Sequence, residues 1–266
     1  MARFDRYIPG QFSWVDLMSP DPEASPRFYQ AVFGWSPVAS QDDAGGSYTM
    51  FKLQDLDVAG MGAMPDEMKS AGVPAHWNSY VTVEDVDAKA AMAQALGAEL
   101  QMPVIDIAMG GELVGRMAVV VDPEGARLSL WQPGSHPGAG LANEPGSFGW
   151  NELCSRNVPA ARDFYGKLFD WSFRPADPAQ PDGYQEILVG DRMNGGILPW
   201  SPEMGEIPPS WSVYFSVADC DETVKRIQEL GGQLLMGPTD ISPGRFAVAA
   251  DPQGAVFDVM FMHQPD

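Results

Sequence analysis

At 266 residues the chain is long enough for about two domains of ordinary size. Hydrophobic residues make up 45% and aromatic ones 11%, enough for two cores, yet no run of ~18 apolar residues could cross a bilayer as a helix. With 16 basic and 36 acidic residues the net charge is −20 and the acids are scattered, which leaves no basic stripe for a nucleic acid or an anionic membrane surface. The amino terminus, MARFDRYIPGQF, lacks the apolar stretch of a secretory signal, so the expectation is a soluble cytoplasmic protein. Two cysteines, Cys154 and Cys220, stand in non-equivalent places and read as buried small apolar side chains rather than a disulfide or a metal pair.

Residues 12–18 alternate as a strand. Asp21 or Pro22 opens a helix that runs to about Val32 and ends near Gly34. Residues 48–53 and 57–61 are short strands separated by a turn, and 78–83 form another. Asp85 caps a helix reaching about Leu96, with Gly97 as its stop. Residues 115–121 and 126–131 are strands joined by an Asp-Pro-Glu-Gly turn. A later helix, beginning near Asp219, sets Val224, Ile227 and Leu230 on one apolar stripe.

The same order occurs twice. FYQAVFGW (28–35) matches FYGKLFDW (164–171), and WVDL (14–17) matches WNEL (150–153). VPAHWNSYVTVEDVD (73–87) matches IPPSWSVYFSVADCD (207–221), and GRMAVVVDPEGARLSLW (115–131) matches GRFAVAADPQGAVFDVM (244–260). Blocks in one order with slowly drifting spacing mark a tandem duplication of 12–132 and 148–262. The Gly- and Pro-rich stretch between the copies, 132–149, reads as an exposed linker. The expected division is therefore a first half at 1–133, a linker at 134–147 and a second half at 148–266.

These blocks resemble the vicinal-oxygen-chelate superfamily, which includes glyoxalase I, bleomycin-binding resistance proteins and extradiol dioxygenases. The FY block, the V-x-D-(V/C)-D helix start and the DP-x-G turn carry the resemblance over nearly the whole chain, twice. The resemblance implies an α+β fold: four βαβββ modules in two tandem glyoxalase-like halves, each a cup-shaped sheet with outer helices. It extends to a branch containing accessory proteins of aromatic polyketide pathways. The tandem arrangement mimics a dimer of single-unit relatives, so a monomer or a homodimer is expected.

Enzymes of the superfamily hold a divalent metal with His, Gln or Glu on particular strands of a cup. Counted from the anchors, those positions fall on Trp14, Asn78 and Ser129 in the first copy and on Trp150, Ser212 and Asp258 in the second. Indole cannot ligate a metal, and Ser or Asn hold a transition ion poorly. His76, His136 and His263 lie off these positions. The expectation is no cofactor and no protein-held metal, with a divalent ion left open.

Residues two apart on a strand share a face, which groups Trp14 with Asp16 and Trp150 with Glu152. Neighbouring strands add Asn78 with Tyr80, Ser212 with Tyr214, Ser129 with Trp131, and Asp258 with Met260. A lining of flat aromatics and a few hydrogen-bonding groups suits a planar, partly polar small molecule. The same tryptophans serve equally well as core filler. Asp16 and Glu152 could instead form structural ion pairs with Arg116 and Arg245. Met50, Met61, Met64, Met193 and Met204 fall near the expected cup mouth.

No GxSxG, Walker loop, dinucleotide glycine pattern or CxxC is present. Three readings follow. The first is metal-independent binding of a planar aromatic or apolar molecule, in sequestration, resistance or support of a biosynthetic oxygenase. The second is a metal-dependent glyoxalase, lyase or dioxygenase with ligands at shifted positions. The third is metal-free acid–base catalysis by Glu152 and Asp258.

Overall fold

The computed structural model describes residues 3–43 and 45–263. The first half contributes strands β1 (Phe12–Ser19), β2 (Ser36–Gln41), β3 (Ser47–Leu53), β4 (Leu56–Ala63), β5 (His76–Thr82), β6 (Glu99–Met109), β7 (Glu112–Val121) and β8 (Arg127–Pro133). Its helices are α1 (Ala24–Phe33), α2 (Asp66–Ser70) and α3 (Val86–Ala95). The second half contributes β9 (Phe148–Ser155), β10 (Ser172–Pro175), β11 (Gln185–Val189), β12 (Arg192–Pro199), β13 (Ser210–Ser216), β14 (Gln233–Ile241), β15 (Gly244–Ala250) and β16 (Val256–Met262), with helices α4 (Val158–Phe169) and α5 (Cys220–Glu229).

Each half builds one curled eight-stranded sheet, ordered β2-β3-β4-β1-β5-β8-β7-β6 and β10-β11-β12-β9-β13-β16-β15-β14. The central strands of the two modules, β1 with β5 and β9 with β13, pair antiparallel. Each also has a parallel neighbour from its own module: β4, β8, β12 and β16. This is the four-module α+β architecture that the repeat implies.

Local chemistry sets the element ends. Asp85 and Asp219 cap α3 and α5 by accepting from the backbone N–H of Ala88 and Glu222, at 2.9 and 3.0 Å. Gly34 ends α1 at φ 74°, a left-handed conformation that disfavours any residue with a Cβ. The helix starts at Ala24, later than Asp21, because the Asp21 carboxylate first holds the N–H groups of Glu23 and Ala24 in a turn. Gln54 and Asp55, both at positive φ, form the tight connection from β3 to β4.

The two halves share one continuous core instead of two. Tyr29 and Tyr165, the tyrosines of the FY blocks, are 0% exposed. Tyr29 donates to Asp251 Oδ2 at 3.0 Å and Tyr165 donates to Asp122 Oδ2 at 2.8 Å, each crossing to the turn of the opposite half. Trp77 and Trp211 in turn donate to those phenol oxygens, at 3.1 and 2.9 Å. The indoles of Trp35 and Trp171 also reach across, to the carbonyls of Gly146 and Gly10, at 2.6 and 2.8 Å. Burying an aromatic ring removes roughly 150–250 Å² from water, worth about 4–6 kcal/mol of gross burial at ~25 cal/mol per Å². The seam is therefore a main source of stability.

The stretch joining the halves is not an exposed linker. Ala139 and Leu141 are 0% exposed, Tyr7 donates to the Ala139 carbonyl at 2.8 Å, and the Ala139 N–H donates to the Ser13 carbonyl at 2.8 Å. Its glycines and prolines allow a close-packed path along the first half. Cys154 and Cys220 are free and buried, as expected of small apolar side chains.

Candidate functional site

Alternation along β1 sorts its residues. Val15 and Leu17, both 0% exposed, turn to one face of the sheet, while Trp14 and Asp16 turn to the other, Trp14 being itself 4% exposed and part of the core. The register sets Trp14 against Tyr80 and Asp16 against Asn78, and Ser129 lies beside Tyr80. Asp16 accepts from Asn78 Nδ2 at 2.9 Å, from Tyr80 Oη at 2.8 Å and from Tyr48 Oη at 3.3 Å. Trp14 Nε1 donates to Tyr48 Oη at 3.0 Å.

The second half repeats this unit. Glu152 accepts from Tyr184 Oη at 2.7 Å and from Tyr214 Oη at 2.8 Å, and Trp150 Nε1 donates to Tyr184 Oη at 2.9 Å. Ser212 lies opposite Glu152, and Asp258 lies beside Tyr214. Burial pushes the Asp16 and Glu152 carboxyls upward, and the phenol hydrogen bonds pull them partly back. Tyr184 and Tyr214 are driven far up, first by burial and then by the neighbouring acids, so both remain protonated donors.

Tyr48 and Tyr184 were absent from the set drawn from sequence, although the tyrosine recurs in both copies. Each lies over a glycine, Gly60 or Gly196, where a Cβ would stand 1.9 Å from the phenol oxygen. Gly196→Ala is therefore expected to expel the Tyr184 hydroxyl from Glu152 and Trp150, at an overpacking cost of about 1–3 kcal/mol. Urea unfolding and the Trp150 emission maximum check this; an unchanged spectrum and midpoint would contradict it.

The cups differ. In the first, Trp14 and Tyr80 are 4% and 5% exposed, and the His136 ring packs edge-on against Trp14 at 4.6 Å. Trp131 anchors the His136 backbone by donating to its carbonyl at 3.1 Å. Burial lowers the His136 pKa, which keeps the imidazole neutral. In the second, Trp150, Tyr184 and Tyr214 are only half-buried, and Met260 takes the place of Trp131.

Asp258 is the odd residue. It is 2% exposed, its Oδ2 has no hydrogen-bond partner, and burial followed by the Glu152 charge raises its pKa well above the ordinary value. Its counterpart in the first half is Ser129, an uncharged residue beside Tyr80.

The side chains do not fit a resident metal of the usual kind. The indoles at the first ligand position donate their N–H groups to phenols, and the acids beside them are occupied by phenol donors. Among the described residues, no three His, Cys, Asp or Glu side chains come together to hold an ion.

Several expectations are corrected. Arg116 pairs with Asp87 and Asp106, and Arg245 with Asp221 and Asp240, at the surface and away from Asp16 and Glu152. Met61 and Met64 are 1% and 2% exposed, and Met61 belongs to the core. Met193, 58% exposed, lines no enclosed space. A shallow recess of about 500 Å³ on the outer face of α4, lined by Arg162, Asp163, Lys167 and Phe173 among others, holds a solvated Lys167–Asp163 pair and no convergent buried polar group.

Cup-shaped sheets of paired βαβββ modules define the class. Residues 14–131 match the model of the glyoxalase-like domain. Residues 147–259 match that of the Glyoxalase/Bleomycin resistance protein/Dioxygenase superfamily, and the chain belongs to this superfamily. It is 38% identical over 98% of its length, and 98% of the relative's, to CFP32 of Mycobacterium tuberculosis, whose name proposes glyoxylase activity. It is 35% identical over 97% of its length, and 96% of the relative's, to the anthracycline biosynthesis protein DnrV of Streptomyces peucetius. The fold is similar to a Mn(II)-bound glyoxalase from Novosphingobium aromaticivorans, with TM-score 0.64 and 19% identity over 97% of this chain and 84% of that one. It is also similar to the 2,3-dioxygenase LapB from Pseudomonas sp. KL28, with TM-score 0.65 and 14% identity over 98% of this chain and 96% of that one.

Proposed function

We propose that the second-half cup binds a flat, partly polar organic molecule without a protein-held metal, in sequestration or in support of a biosynthetic oxygenase. The observation that carries this reading is the exchange of metal-ligand chemistry for a half-buried indole and phenols around Glu152 and Asp258. Ring faces supply contact area and the fixed polar groups supply orientation. The first cup is the structural counterpart, filled by Trp14, Trp131 and His136. The name of DnrV supports an aromatic ligand class.

Trp150→Ala is expected to weaken binding of planar aromatics about tenfold, the size of one stacking contact. Trp14→Ala is expected to cost about 3–5 kcal/mol of stability, as a large buried aromatic does, and to leave affinity unchanged. Intrinsic-fluorescence titration and urea unfolding separate the two. Elemental analysis of protein prepared without chelators tests the metal-free part: a stoichiometric ion bound through Asp258, Glu152 or Asp16 overturns it and favours the glyoxylase activity that the CFP32 name proposes.

A second reading has its own observation. Two buried acids in one cup, both shifted upward, are suited to metal-free proton transfer. Under it, Glu152→Gln abolishes turnover of a bound substrate while binding persists.

A further inference from the structure

We infer that the second-half cup selects a flat ligand bearing a carbonyl oxygen, and that the Asp258 carboxyl, holding its proton, donates the hydrogen bond that selects it. This rests on the flat-ligand reading above and adds the chemical group that the ligand must carry.

The direction of the side chain follows from its strand. Phe257 and Val259 are 0% exposed and turn into the shared core, where Phe257 packs on Tyr29 at 5.7 Å and on Phe33 at 6.0 Å. Asp258 and Met260 therefore face the cup, with Asp258 beside Tyr214 on β13 and Val248 on β15. The titratable groups on this face are Glu152 from β9, whose charge acts on Asp258, Tyr184 just before β11 and Tyr214 from β13. The last two already donate to Glu152. From β15, Phe246 and Val248 bring no charge, and Arg245 is spent on Asp221 and Asp240.

Two acids thus face the same side of the sheet, near enough for the Glu152 charge to act on Asp258, while the Arg245 cation of the neighbouring strand is paired elsewhere. The phenol donors are all aimed at Glu152, which makes Glu152 the member that carries the negative charge. Asp258 Oδ2 receives no donor among the described residues, and burial, with the Glu152 charge nearby, disfavours a second anion there. A proton on Asp258 Oδ2 has no acceptor among the described residues, an arrangement that burial penalises unless a ligand supplies one. A neutral carbonyl oxygen meets the need. An anionic ligand would be repelled by Glu152, and an ammonium would meet a Glu152 carboxylate already taken by two phenol donors while offering the Asp258 proton no acceptor.

One ring skeleton tests this with the full-length protein at pH 7: fluorene, 9-fluorenone and 9-aminofluorene, titrated by tryptophan fluorescence. The expected order is fluorenone about tenfold tighter than fluorene, one hydrogen bond's worth, with 9-aminofluorene weakest. Asp258→Leu loses the preference and keeps fluorene affinity. Asp258→Asn, whose amide also donates, keeps the preference and removes its decline as pH rises through the Asp258 titration. The Asn profile decides the matter if the Leu variant fails to fold. Equal affinity for fluorene and fluorenone, a preference that survives Asp258→Leu, or tightest binding of the amine overturns the inference and leaves the flat-ligand reading standing. Binding of none of the three overturns both.

Discussion

Asp122→Ala is expected to remove about 3–4 kcal/mol of folding free energy, the sum of a lost turn anchor and a stranded buried phenol. One oxygen of Asp122 accepts from the N–H groups of Glu124 and Ala126, at 2.8 and 2.9 Å, and holds the turn between β7 and β8. The other accepts from Tyr165 of the opposite half, which is 0% exposed. Alanine frees both backbone donors, which water can reach in part, and leaves the Tyr165 O–H without an acceptor inside the core. Tyr165→Phe removes the cross-half bond and the acceptor of the Trp211 N–H but leaves the turn intact, and is expected to cost about 1–3 kcal/mol. Asp251→Ala should mirror Asp122→Ala, because its oxygens hold Gln253, Ala255 and Tyr29 in the same way. Urea unfolding followed by near-ultraviolet dichroism measures all three. A loss below about 1 kcal/mol for Asp122→Ala would show that the seam is held by ring packing alone.

That pairing explains which parts of the molecule were legible in the sequence. The FY and DPxG blocks are the clearest marks of the repeat, and they form the seam between halves rather than either cup. Their clarity comes from demanding geometry: a phenol and a turn carboxylate must meet across the core twice. Helix caps at Asp85 and Asp219 were legible because capping is local. Trp14, Asp16, Trp150 and Glu152 could be placed on common faces because strand alternation is local too. Tyr48 and Tyr184 escaped because their contacts bridge distant strands, and because the enabling residues, Gly60 and Gly196, act by what they lack. The inward path of 134–142 escaped for a related reason. Gly- and Pro-rich composition reports backbone freedom and turns, and says nothing of whether His136 and Leu141 find a wall to pack against.

Asp258→Ser, which installs the residue found at the matching place in the first half, is expected to stabilise the protein by about 1–3 kcal/mol at pH 7–8, the usual cost of a buried polar group without a partner. A serine there would lie beside Tyr214, as Ser129 lies beside Tyr80, and would bury no ionisable group. The sign with pH follows from the raised Asp258 pKa. From the ordinary carboxylate value of 3.8 up to the folded value, the native state holds a proton that the unfolded chain has released. In that window the native state binds more protons, so wild-type stability falls as pH rises, and it levels off once Asp258 ionises in the folded protein. The serine variant lacks this group, so its advantage over wild type should be small near pH 4 and grow through the window. Glu152 and Asp16 are also shifted upward and slope the same way in both proteins, so the difference between the two curves isolates Asp258. Thermal unfolding across pH 4–9 gives that difference. A variant less stable than wild type at neutral pH would mean that Asp258 has a hidden structural partner. A gain that comes with lost ligand affinity would mark Asp258 as a residue kept for binding at the expense of the fold.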